Sequence, residues 1–191
     1  MDDLSQLFES AFGESPLYAT EAAVRNRGMD FTDESAKKTS WLGTPVMFPI
    51  KFKRGAYQIY KPNGEVEKVE RSDFYLPPCL VQFSRAKNLT QTHVLGDTGS
   101  VKEMFGFDDW NIKIKGLCLD EPDRKAYDQL EALLDWEEIA AGIDVSGSLF
   151  ADKQIYNIVI KSIDVKQIQG KPGVIPFTID AVSEDEAILV L

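Results

Sequence analysis

The sequence predicts a mostly β chain of the α+β class: an antiparallel barrel or sandwich with one packed helix at about residues 122–136, preceded by an N-terminal arm. Three observations predict it. From Trp41 onward β-signals dominate, in short segments that alternate apolar and polar residues between turns rich in glycine, proline and asparagine. A single stretch after the arm, DEPDRKAYDQLEALLDWEE, switches from a period of two to spacings of three and four. No strand–helix–strand repetition occurs, which argues against a parallel sheet with crossover helices.

In chain order, Leu4, Leu7, Phe8 and Ala11 fall at helical spacing, so residues 2–12 are expected to form a short amphipathic helix, stopped by Gly13 and Pro16. The next stretch, ATEAAVRNRGMDFTDESAKKTS, is polar and has no period. It reads either as a disordered tail or as an arm that orders on a partner subunit. The chain therefore divides into residues 1–40, helix and arm, and residues 41–191, a β-rich domain. In MFPIKFK, Phe48, Ile50 and Phe52 share a face. YQIYKPNGEVEKVE reads as a hairpin: Tyr57 and Ile59 lead out, Pro62-Asn63-Gly64 turns, and Val66 and Val69 return on a charged, solvated strand.

Pro77-Pro78 in FYLPPCLVQFS restricts that segment to an edge or a strand entry. NLTQTHVLG offers a further strand. Gly96 and Gly99 bracket a tight turn, and Gly106 is expected to make a second break. Then Trp110, Ile112 and Ile114 alternate with Asn111, Lys113 and Lys115, a strand with one wet face. In the helix, Asp120 or Glu121 is expected to cap the first amides, with Pro122 in the first turn. Its apolar stripe is expected to be Tyr127, Leu130 and Leu134, flanked by Ala126 and Leu133. IDVSGSLF alternates loosely. Tyr156, Ile158 and Ile160 share one parity and Ile163 and Val165 the other, so a bulge is expected near Lys161-Ser162. After a turn at residues 170–173, Phe177, Ile179 and Ala181 share a face, and AILVL closes the chain. The tally is eight or more strands.

Composition limits the function. The formal charge is −10 and the pI about 4.6, so the surface repels phosphate backbones and no specific nucleic-acid binding is expected. Cys79 and Cys118 have no metal-type spacing, and Cys118, between Leu117 and Leu119, reads as a buried free thiol. MDDLSQLFESAFG lacks the basic start and apolar run of a signal peptide, and no apolar stretch approaches the roughly 20 residues that span a bilayer. The expectation is an intracellular protein without membrane contact. Asn88-Leu89-Thr90 is then a chance match to the glycosylation sequon.

The sharpest chemical motif is Asp97-Thr98-Gly99-Ser100, the short signature of an aspartic protease. That chemistry needs two carboxylates sharing one proton, and the chain has one such motif, so only a symmetric dimer through Asp97 is open to it. Gly96 stands directly before the motif, displacing Val94-Leu95 by one position, and a plain turn is the favoured reading. His93 is the sole histidine and sits on an expected strand between Thr92 and Val94, where a surface or satisfied residue is favoured over a catalytic one. Asp108-Asp109 and Ser183-Glu184-Asp185-Glu186 lack the alternation of a calcium loop and read as solvated loops. No catalytic residue, cofactor or metal is assigned, and the chain is expected not to be an enzyme.

The second half then shows an order of segments: GSVKEMFGFDDWNIKIKGLCL, a helix near a proline, SGSLFADKQIYNIVIKSIDV, a glycine turn and PFTIDAVSED. This order resembles an uncharacterised family of bacteriophage and prophage tail and baseplate proteins over about residues 92–187. Gly99, Val101-Lys102-Glu103, Trp110, Ile112, Ile114, Gly116, Ile158-Val159-Ile160, Phe177 and Ser183 occupy the pattern's positions. The match departs at Gln154-Ile155-Tyr156, where the pattern has a glycine-isoleucine pair. The resemblance implies a tail-tube-like β fold and a non-catalytic ring or adaptor subunit. It also implies other tail or baseplate subunits as partners, homo-oligomers in assembly, and residence in the host cytoplasm and then the virion tail. The alternatives are a β-sandwich ligand-binding module, for which Trp41, Tyr57 and Tyr60 would form an exposed aromatic patch, and the dimeric protease.

Overall fold

The computed structural model describes residues 4–13, 50–61, 63–93, 100–122, 124–167 and 173–184. Nine strands carry most of it: β1 (Lys51–Phe52), β2 (Gly55–Tyr60), β3 (Val66–Arg71), β4 (Phe74–Tyr75), β5 (Cys79–His93), β6 (Ser100–Leu119), β7 (Ile143–Ser146), β8 (Asn157–Val165) and β9 (Val174–Ser183). The helices are α1 (Leu4–Phe12), α2 (Ala126–Glu137) and a single turn, α3 (Ser148–Ala151). Seven strands form one antiparallel sheet in the order β4-β1-β7-β8-β9-β6-β5, and β2 and β3 pair only with each other.

The sheet is open, so of the two expected architectures the closed barrel is excluded and the sandwich-like one stands. Its curvature is strong. Phe74 from one edge strand and Val81 and Phe83 from the other join a single hydrophobic cluster around α2. The alternation expected from Trp110 positions Ile112 and Ile114 in that cluster and leaves Asn111 and Lys113 exposed. Across the sheet, Leu117 and Leu119 fall on the opposite face, where Leu7 and Phe8 of α1 cover them in a second cluster. The expected N-terminal helix thus exists, docked on its own sheet, while the polar arm and the boundary at residue 41 lie outside the described residues.

The α2 helix corrects three expectations. It starts at Ala126, so Pro122 precedes its first turn; Asp120 does accept an early amide, from Ala126 N–H at 2.8 Å. Its buried residues are Ala126, Gln129, Leu130, Leu133 and Trp136, whereas Tyr127 and Leu134 are exposed. The helical period was legible and its phase was not. Trp136 fixes the phase, lying 5.2 Å from the Phe52 ring, 5.4 Å from Tyr57 and 6.3 Å from Phe74 between centroids. Gln129 tolerates burial because its Nε2 donates to the Leu119 carbonyl at 2.7 Å.

The β2–β3 hairpin turns at Asn63-Gly64, where Gly64 has φ +83°. It is tied to the end of α2: Arg71 bonds the Asp135 carboxylate and carbonyl at 3.0 and 2.9 Å, and the Ala140 N–H donates to Gln58 O at 2.7 Å. The expected bulge in β8 is found between Ile160 and Ser162. SGSLF is not a strand throughout; β7 ends at Ser146 and residues 148–151 turn as α3. The residues of AILVL lie outside the described residues.

Gly106 does not end a strand either. β6 runs through it for 20 residues, from Ser100 to Leu119. Asp108-Asp109, expected in a loop, therefore lies within β6.

Candidate functional site

β6 pairs with β9 only from Asn111 to Leu119. Beyond that, Ser100–Trp110 of β6 pairs with Arg85–His93 of β5 alone, so the two strands leave the sheet as a free ribbon. At about 3.3 Å per residue, the ribbon extends roughly 30 Å from the body. We call it the arm.

Two bulges shape the arm. Arg85 pairs with Trp110 but Lys87 with Phe107, and Asn88 pairs with Gly106 but Leu89 with Met104. Each shift inserts one extra residue on β6. At the second, Gly106 takes φ +131°, open to glycine and strained for any residue with a Cβ. Bulges raise local twist, so the arm is not a flat continuation of the sheet.

The arm's root is anchored. Phe83 meets Trp110 at 6.4 Å and Phe150 at 5.1 Å between ring centroids, both edge-on. Lys153 lies 4.9 Å from the centre of the Trp110 ring, and Arg85 lies 5.3 Å from it and 4.9 Å from Phe107. Trp110 N–H donates to Ser183 Oγ at 2.9 Å, joining two positions of the sequence pattern across 73 residues. Two further pattern positions meet at Gly116 and Phe177, which are paired across β6 and β9. A Cβ on Gly116 would collide with the Phe177 ring.

Past its root the arm is uncovered. Leu89, Val101, Met104, Phe105 and Phe107 are 49–65% exposed, five of the twelve exposed large hydrophobic residues found among the described residues. Directly paired residues share a face. The face that carries Phe83 with Ile112 in the core therefore continues as Arg85 with Trp110, Lys87 with Phe107 and Leu89 with Met104. Such a stripe is chemically suited to docking; scattered exposed apolar residues are ordinary, but a contiguous set on a protruding element is not.

The other sequence candidates do not converge. Asp97, Thr98 and Gly99 lie outside the described residues. Ser100 pairs with His93 near the arm's end, His93 exposed and Ser100 half-buried, and Ser100 Oγ accepts from Gln91 Nε2 at 2.7 Å. Asp108, Asp109 and Lys161 border a shallow depression beside the root, with Phe107, Asn111 and Val182. Among the described residues, no group of three or more His, Cys, Asp or Glu is placed to hold a metal, and no helix is long and apolar enough to cross a membrane. Cys79 and Cys118 are free thiols, and burial pushes both up to about 12, where they stay protonated and unreactive at neutral pH. Of the aromatics proposed for a ligand patch, Tyr57 is buried, Tyr60 is exposed and Trp41 lies outside the described residues. Sequence reasoning missed the arm's apolar face; its available signal was the apolar residues of LTQTH and VKEMFGF on either side of VLGDTGS.

Fold and surface together define a β-rich domain with a protruding two-stranded arm. The family described as "Domain of unknown function (DUF6046)" matches residues 75–191, more than half of the sequence, and the chain belongs to that family. The match takes in all of β5, of which the resemblance read from the sequence reached only the last residues. No curated protein matches the chain. Among solved structures, it is similar to a chain from the tail of an empty GTA particle determined with helical refinement and C6 symmetry. That likeness has 12% identity, covers 68% of this chain and 91% of that one, and has a TM-score of 0.38.

Proposed function

We propose that this chain is a non-enzymatic structural subunit of a phage-type tail or baseplate, a ring or adaptor component that works by contact. The observation that carries the reading is the arm: a ribbon of about 30 Å with an uncovered apolar face, which a lone soluble domain has no use for. The order of sequence segments shared with phage tail and baseplate proteins supports it. In this reading other tail subunits are the partners, the host cytoplasm is the place of assembly and the virion tail the destination. The acidic surface, with formal charge −10, suits a component past which DNA moves without sticking.

The test is location. Antibody raised against the purified chain, applied to tailed particles made from the source genome, is expected to label the tail in electron microscopy, and deletion of the coding sequence is expected to abolish normal tails. Unlabelled particles that assemble normally without the chain would overturn the reading.

A further inference from the structure

The arm has a counterpart on the same molecule. On the face shared by Lys87 with Phe107, Leu89 with Met104 and Gln91 with Lys102, the charged side chains are Arg85, Lys87 and Lys102, all basic. This is unusual in a chain with 31 acidic and 21 basic residues. The solvent side of α2 has the opposite character. Tyr127, Glu131, Leu134 and Glu138 follow one another at spacings of four, three and four, which places them on one stripe. Tyr127 is 67% and Leu134 36% exposed, and Ala126–Glu137 contains no lysine or arginine.

We propose that the basic, apolar face of the arm docks on the acidic, apolar stripe of α2 in a second copy of this chain. The proposal deepens the structural-subunit reading and rests on it. Charge complementarity selects the occupant: the stripe offers carboxylates around two apolar side chains, and the arm offers cations around three. Size agrees, since a 12-residue helix is about 18 Å long and fits within the roughly 30 Å of free ribbon. The contact is between copies. α2 turns this stripe away from its own sheet, and the arm is an extension of that sheet. Each copy presents one arm and one stripe, so copies can link head-to-tail into a closed ring or an open stack, or pair reciprocally about a two-fold axis.

Sedimentation velocity of the full chain over a concentration series tests this, with Lys87→Glu and Glu131→Lys as variants and thermal melts to show that each stays folded. Both sites are exposed, so the melts are expected to match the parent. Each variant alone is expected to associate at least about ten-fold more weakly, because like charges then face each other. Mixed in equal amounts, the two should recover association: the glutamate arm of one fits the lysine stripe of the other, and the remaining contact is native. Leu89→Asp should weaken association in every mixture.

A chain that stays monomeric at all concentrations overturns the docking but leaves the tail reading to the labelling test. Association that ignores both charge variants, or that responds to the arm variant alone, also overturns it, the latter assigning the arm to a different partner.

Discussion

Gln154 is the one non-glycine residue with positive φ among the described residues, at +59°. It opens the segment Gln154-Ile155-Tyr156, over which the sequence departs from the glycine-isoleucine pair of the resembled pattern, and it bears the cost of a left-handed turn. Ile155 follows the turn buried, its N–H donating to Phe150 O at 3.0 Å, and β8 begins two residues on. A left-handed conformation costs an L-residue about 1–2 kcal/mol. Glycine's greater freedom in the unfolded chain takes back about 0.5–1 kcal/mol. Gln154→Gly is therefore expected to raise stability by about 0.5–1 kcal/mol in urea titration, and a loss of stability would show that the glutamine side chain contributes something the backbone cost conceals. Asp73 sets a second expectation. The Arg54 N–H, donating to its Oδ1 at 2.7 Å, holds its carboxyl below the ordinary value of 3.8, with Lys51 Nζ at 3.4 Å adding to the effect. A folded-state pKa below the unfolded one means that the contribution is fully present above 3.8 and is lost as pH falls through the lower folded value. The melting temperatures of parent and Asp73→Ala should differ at neutral pH and converge in acid below that point; a gap that persists unchanged would assign the effect to something other than ionisation.

At the scale of elements, what was legible depended on whether the cause was local. The β2–β3 turn was readable because Asn-Gly dictates it, and the β8 bulge because the side-chain parity changes within one strand. The existence of α2 was readable and its phase was not, since Trp136 is held by aromatic rings from β1, β2 and β4, all far away in sequence. The arm was misread for a related reason. Gly106 looks like a break, but β5 opposite it supplies a partner that absorbs the glycine as a bulge, and β6 continues. Which strands outrun their sheet is set by where β9 stops pairing, a fact with no signature in β6 itself. The same fact predicts dynamics. Amides of Arg85–His93 and Ser100–Trp110 are held by one neighbouring strand without a packed core beyond the root, whereas Asn111–Gly116 is paired on both sides. Hydrogen exchange read by mass spectrometry should show low protection along the arm and high protection from Ile112 onward. Equal protection in a monomeric sample would mean that the arm is covered.

For the whole molecule, this amounts to two parts with different debts to packing. The body is one cooperative unit: α2 gathers side chains from β1 and β4 at one end of the curled sheet, from β5, β6, β8 and β9 towards the other, and from β2 of the separate hairpin. Removing Trp136 should therefore loosen several elements together. Trp136→Ala is expected to cost about 3–5 kcal/mol, with loss of the near-ultraviolet signal of the aromatic cluster and release of the β2–β3 hairpin that Asp135 anchors. The arm owes the body little. Arg85 and Trp110 are directly paired at its root, so residues 86–109 can be replaced by Asn-Gly, the two-residue turn that matches the twist of a strand pair. Keeping Trp110 preserves its hydrogen bond to Ser183 and its contact with Phe83. The shortened chain should melt within a few degrees of the parent, since the described residues among those excised bury almost no core, yet should fail to enter tails or to associate. Urea unfolding of the parent, the Trp136→Ala variant and the shortened chain, set beside their sedimentation, separates the two roles. A shortened chain that unfolds would make the arm part of the fold rather than a surface carried by it, and would leave its exposed phenylalanines without a use.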